Sequence, residues 1–258
     1  MLAPSRCCVS DAATTVTHMD WLGDDLLLLA VRANGTLAVR EKLRFGMAGA
    51  ELVRLAACGR VDIQRGRIVI LDITPTGDPL LDAALASMTG RKRPPTAKAW
   101  VARIRSGLVE RHLDRLAAAG TVAARQSKAL GFIPVTRWAV TDPPRQAQAR
   151  ARLDAIAGGA GEVDLAQAAL AGLADAIGLA GLFYRGIEHK RIKVAVKSHQ
   201  TAAGAASAVR SATEEAVAQS VDAATQAAVQ AAADAAHHAA HNAGGGHHGG
   251  AAGGHHGW

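Results

Sequence analysis

Aromatic side chains are scarce, with four Trp, three Phe and one Tyr in 258 residues. Much of the 49% hydrophobic content is Ala, which buries little surface, so the core has to come from Leu, Val and Ile within the first 200 residues. Cysteine is equally rare: Cys7 and Cys8 are adjacent and Cys58 stands alone, a pattern that fits neither a disulfide framework nor a zinc site. The longest apolar runs, such as Leu26 to Val31, fall well short of the roughly 20 residues that a membrane-spanning helix needs. Residues 1–17 hold one Arg and no continuous apolar run, so they do not read as a secretory signal, and the expected location is the cytoplasm. Nucleotide-binding glycine loops, His-Glu-x-x-His, Gly-x-Ser-x-Gly and Cys-x-x-Cys are all missing, which leaves no catalytic constellation and points away from an enzyme.

Charge, by contrast, is plentiful and uneven. From residue 199 onward Arg210 stands against Glu214, Glu215, Asp222 and Asp234, so the formal +7 of the chain conceals +10 on residues 1–198. Residues 89–150 alone carry thirteen Lys or Arg against Glu110, Asp114 and Asp142. A field of that sign suits a polyanionic partner, either an anionic membrane surface or nucleic acid.

Residues 1–18 are polar and mixed and are read as a disordered extension. Trp21 to Val31 places Asp24 and Asp25 ahead of an apolar run, a helix-start pattern, and Asn34-Gly35 marks a tight turn. Leu52, Leu55 and Ala56 recur at helical spacing up to Cys58, with Gly59 in the position of a helix cap. Val61–Gln64, Arg65-Gly66 and Arg67–Ile73 then read as a hairpin. This helix-plus-hairpin unit occurs twice. When Glu51–Val61 is laid over His112–Val122, seven of eleven positions agree (Leu, Arg, Leu, Ala, Ala, Gly and Val), and Phe132–Trp138 supplies the second extended segment.

Between the copies, Asp78 and Pro79 open a helix as cap and first residue, and Asp82 is read as a solvated first-turn charge. Thr96–Ser106 forms another helix with Trp100 and Ile104 on its apolar face. Helices at 145–156 and 165–183 complete the body. His112 is expected at an exposed or half-buried helical position. His189–Lys197 alternates basic with apolar residues, as a strand or an amphipathic surface segment would. Residues 199–242 read as an Ala-rich, largely solvated helical extension, and 243–258 as a disordered Gly/His tail. Eight of the eleven histidines lie at or beyond His199. A Gly-rich carrier provides no second shell to orient ligands, so no physiological metal site is assigned, and no cofactor is expected.

The string Pro75-Thr76-Gly77-Asp78-Pro79-Leu80-Leu81-Asp82-Ala83-Ala84-Leu85 resembles the Pro-Thr-Gly-Asp-x-Leu-Leu-Asp-x-Ala-Leu signature of the Golgi phosphoprotein 3 family. Asp25-Leu26-Leu27-Leu28-Leu29, Gly46–Leu55 with Cys58-Gly59-Arg60-Val61, and Leu116–Val122 fit as flanking segments. The resemblance spans roughly Trp21 to Phe183 and looks like the bacterial, actinobacterial type. It implies a mainly helical domain over 19–198 with a four-helix centre and small β-hairpins. It also implies a non-enzymatic peripheral adaptor that binds phosphatidylinositol 4-phosphate. In the family the headgroup pocket uses a Trp, an Arg and two further Arg on a later helix. The positions placed on them here are Val39, Ala48, Ser106 and Val109, so none is preserved.

The basic residues around those positions, Arg40, Arg44, Arg103, Arg105 and Arg111, are therefore the candidate lipid-headgroup site. The partners expected are an anionic phospholipid or membrane surface, at the inner face of the plasma membrane, and a protein client. A basic helix followed by a hairpin also describes a winged-helix nucleic-acid module, although the helix before the first hairpin is mainly Ala and Leu and offers few side chains for reading base edges. A protein scaffold is the other alternative. Oligomeric state is left open.

Overall fold

The computed structural model describes residues 21–89, 95–103, 107–129, 132–159, 161–197, 199, 201–216, 218 and 230. The expected 1–18 extension, the basic loop at 91–94 and the Gly/His tail lie outside the described residues. Every residue of α1 (Leu22–Ala30) is buried, so it runs through the core of the unit that extends to residue 214. Around it pack α2 (Arg40–Ala57), α6 (Pro143–Gly158) and α7 (Leu165–Ala176), the expected four-helix centre. Helix α2 begins within the basic stretch, well before the Leu52, Leu55 and Ala56 spacing that marks it in sequence, because Arg40, Glu41, Lys42 and Arg44 take the solvent side of its first turns while Leu43 and Phe45 are already buried.

The two predicted units are both present. Helix α2 runs into hairpin β1 (Val61–Gln64) and β2 (Arg67–Ile70), and α5 (Leu108–Ala118) runs into hairpin β3 (Val122–Ala129) and β4 (Ile133–Val140). Both helices stop in the same way. Gly59 (φ +67°) and Gly120 (φ +73°) sit in left-handed conformations. The next amide reaches back to close the final turn, Arg60 N donating to the Leu55 carbonyl and Thr121 N to that of Leu116, each at 2.9 Å. Leu52, Leu55 and Val61 are buried in one copy, and Leu113, Leu116 and Val122 in the other. The second hairpin is twice as long, with Val122 opposite Val140 and Ala129 opposite Ile133.

Between the copies lie α3 (Pro79–Thr89) and α4 (Ala97–Arg103). The Pro-Thr-Gly-Asp turn is held by its own side chains: Asp78 Oδ1 caps α3 at the Leu80 amide (2.8 Å), and Asp82 Oδ1 accepts from both the amide and the hydroxyl of Thr76 at 2.6 and 2.7 Å. Asp82 is thus a latch on the turn, and the solvated role expected of it is corrected.

The 165–183 helix is broken. Gly178 adopts φ +80° between α7 and the short α8 (Ala180–Phe183). His189–Lys197 belongs to helix α9 (Gly186–Lys197), which packs on α6 and α7. A compact unit extends through residue 214 and takes in helical residues 201–214, part of the stretch read as a solvated extension. Ala202, Ala205, Val209 and Ala212 are buried there. Small residues make that contact possible, since a Cβ on Gly49 of α2 would lie 2.6 Å from Val209 Cγ2 and 2.5 Å from Leu173 Cδ2.

Candidate functional site

Two ionisable residues on the fully buried α1 set the electrostatics of the interior. A buried carboxylate must be paired. Asp25 ion-pairs with Arg145 and Arg152 of α6, yet burial still pushes its carboxyl above the ordinary aspartate range. Asp24 Oδ1 accepts from Arg115 at 2.7 Å and lies 3.0 Å from His112 Nδ1. His112 Nε2 lies 3.0 Å from Glu51 Oε1, and Glu51 in turn accepts from Arg54 at 3.2 Å. Arg54 and Arg115 converge on Asp78 Oδ2 at 2.7 and 3.5 Å. His112, expected at an exposed or half-buried position, is completely buried. Its sequence neighbours gave no sign of this, because its partners lie 88 and 61 residues away.

Burial opposes charging of His112, but the hydrogen bonds to Asp24 and Glu51 outweigh it and hold its pKa above the usual histidine value. Burial likewise opposes ionisation of Asp24, and His112 and Arg115 more than compensate, so its pKa is lowered. Arg115 also approaches Nδ1 at 3.0 Å; since both are then donors, they converge on the same Asp24 oxygen. With His112 protonated, three acids (Asp24, Glu51, Asp78) meet three bases (Arg54, His112, Arg115). The cluster is then electrically balanced, and its ion pairs tie α1, α2, α3 and α5 together.

One wall of that cluster is shared with a surface pocket. Glu51 lies at its edge, and Leu80, Ala83, Ala84 and Ser87 of α3, Trp100 and Arg103 of α4, and Leu108 and Arg111 of α5 complete a cavity of about 310 Å³. The Trp100 indole N–H donates to Ser87 Oγ at 2.8 Å, fixing α4 on α3. Arg103 and Arg111 are exposed, and among the described residues no carboxylate pairs with either. The pocket therefore combines an apolar wall with two guanidinium groups that have no carboxylate partner among the described residues.

Of the candidate site residues, Arg103 and Arg111 are brought together here. Arg40 is exposed on the first turn of α2, and Arg44 lies with its guanidinium 4.6 Å over the Phe45 ring. Both share a helix face with Glu51, but Arg44 is two turns, about 10 Å, from it along the axis; neither lines the pocket. Arg105 and Ser106 lie outside the described residues. Val39, in the place of the family's Trp, is the left-handed residue (φ +46°) before α2, and Ala48, in place of its Arg, is fully buried. Sequence reasoning also missed the tip of the second hairpin, where Phe132 and Ile133 are 74% and 42% exposed close to Lys128. The available signal was the apolar run Leu130-Gly131-Phe132-Ile133 falling where the second hairpin has to turn.

A four-helix centre carrying two helix-plus-hairpin units, with a latched Pro-Thr-Gly-Asp turn between them, defines a mainly helical domain with two small antiparallel hairpins. The family model described as Golgi phosphoprotein 3 (GPP34) matches residues 22–240, and the chain belongs to that family. The match runs well past Phe183 and takes in most of the Ala-rich stretch. Membership gives a lipid-binding or adaptor role in general, in a non-enzymatic family. No curated protein matches the chain. Among the described residues no helix is long and apolar enough to cross a membrane, and no group of His, Cys, Asp or Glu could hold a metal ion.

Proposed function

We propose that the chain is a non-enzymatic peripheral-membrane adaptor, of bacterial type, that binds anionic phospholipid headgroups at the inner face of the plasma membrane. The observation that carries this reading is the meeting of Arg103 and Arg111 at the pocket formed by α3, α4 and α5. Two cations with no carboxylate partner among the described residues attract a phosphate, and Trp100, Leu80 and Leu108 offer apolar surface to the glycerol and first acyl carbons. Phe132 at the tip of the basic second hairpin adds a side chain able to enter the interfacial region. A nucleic-acid reading is less well supported: residues 45–55 of α2, the helix ahead of the first hairpin, are buried throughout and present no face to a groove.

The test is co-sedimentation of the full chain with vesicles of phosphatidylcholine alone, with added phosphatidylglycerol, or with added phosphatidylinositol 4-phosphate, at low and high salt. Anionic vesicles should bind the chain in a salt-sensitive way. At about 1 kcal/mol per basic side chain near an anionic surface, losing both cations costs roughly thirtyfold, and R103E/R111E, which also adds two negative charges, should weaken binding by at least that much. Preference for the phosphoinositide over phosphatidylglycerol would show that Trp100, Arg103 and Arg111 rebuild a specific pocket from new positions. Equal binding of R103E/R111E and the unaltered chain would refute the site.

A further inference from the structure

Helix α9 has two distinct faces. The inner one is fully engaged: Ile192 is completely buried, Val196 packs where Gly172 leaves room on α7, and His189 Nε2 meets Asp175 Oδ1 at 2.5 Å. The outer one is not. Ile187 and Val194, seven residues apart and so on the same side of the helix, are 63% and 68% exposed, and Leu182 of the preceding α8 is 55% exposed. Ile187 and Val194 border a shallow groove of about 350 Å³ against Ile156 of α6 and Val163 of the segment between α6 and α7, with Lys190 and Arg191 on its rim. Arg191 is committed to the fold, donating to the Ala157 and Gly158 carbonyls at 3.1 and 3.0 Å. Lys190, Lys193 and Lys197 are exposed, and Arg185 precedes them; Glu188 is the single acid on the helix.

We infer that the outer face of α9 is a second membrane-docking surface, which lies in the plane of an anionic bilayer with Ile187 and Val194 directed into the interfacial region. Three observations select a bilayer. The apolar residues are small in number and outward-pointing, suited to shallow insertion. Lysines flank them, with stems long enough to follow the apolar surface while the ammonium groups reach phosphates. The near absence of acids on the helix complements an anionic sheet. The surface shares no residue with the Arg103–Arg111 pocket, and α7 lies between α9 and α2. The inference shares with the proposed function only the premise that the chain meets an anionic bilayer.

The experiment uses the full chain with phosphatidylcholine/phosphatidylglycerol vesicles and three variants, I187E/V194E, K190E/K193E/K197E and R103E/R111E. All altered side chains are exposed, so thermal midpoints should match the unaltered chain and confirm that each variant is folded. The expected result is a loss of about tenfold or more in vesicle affinity for both α9 variants. If R103E/R111E lost binding while the α9 variants kept it, the second surface would be wrong and the pocket would stand. The reverse pattern would uphold the second surface and remove the pocket. Binding of the chain to polyglutamate but not to any vesicle would assign the α9 face to an acidic protein and overturn the inference.

Discussion

Replacing His112 by Leu tests whether the buried cluster holds the fold together. The substitution preserves bulk but removes a charged group from between Asp24 and Glu51, both with no solvent exposure. Asp24 keeps Arg115 and Glu51 keeps Arg54, so neither carboxylate is stranded, but the cluster acquires a net negative charge in the interior. Breaking a buried pair in this way costs about 3–5 kcal/mol, a large part of the 5–15 kcal/mol typical of a folded protein. In a chain of this size that corresponds to a melting temperature lower by about 10 °C, measurable by circular dichroism or calorimetry.

The pH dependence gives a second reading of the same residue. The folded pKa of His112 lies above its unfolded value of about 6.5. The folded state therefore holds the proton more tightly. Its stabilisation is complete below about pH 6.5 and is lost as pH rises through the folded value, at no more than about 1.4 kcal/mol per pH unit. The Leu variant should lack this alkaline decline. A destabilisation below about 1 kcal/mol, or an unchanged slope of stability against pH between neutral and alkaline conditions, would show that His112 is not charged in the fold.

Gly49→Ala should destabilise the chain by about 1–3 kcal/mol, read from the urea midpoint, because the new methyl collides with Leu173 and Val209 at 2.5 and 2.6 Å. Tyr184 is the single tyrosine, so phenolate absorbance reports it alone. Burial and the hydrogen bond to Asp154 at 2.6 Å raise its pKa, and its ionisation should be delayed well beyond the ordinary value near pH 10, or appear only on unfolding. Half-ionisation at pH 10 in the folded chain would contradict that contact.

The parts of this fold that were legible are those written in local pattern. The repeated Leu-x-Arg-Leu-Ala-Ala-x-Gly-x-Val ladder placed two helices, their glycine stops and both hairpins, and Asp78-Pro79 placed the start of α3. What remained hidden depended on residues far apart in sequence. Asp24 and Asp25 occur where helix starts favour acids, and nothing local distinguishes a solvated carboxylate from one facing Arg115 or Arg152 across the core. Val209 looked isolated among alanines, since packing of Ala and Val onto Gly49 requires no strong apolar periodicity. For the candidate site, the arginines were visible as charge. Their partition was not, because the joining of Arg103 with Arg111, and the exclusion of Arg40 and Arg44, follows from how α4 and α5 meet α3.

The laid-over copies have one more consequence. Glu51 and His112 occupy the same place in the two units, as do Arg54 and Arg115, and these equivalent positions meet at the centre of the molecule, the first pair directly and the second through Asp78. Two identical chains related by a twofold axis would be forced to set each such residue against itself, acid facing acid or base facing base. Carrying both units on a single polypeptide removes that constraint. Each half is free to diverge at the shared seam, and a proton donor can face its acceptor where strict symmetry would have imposed repulsion.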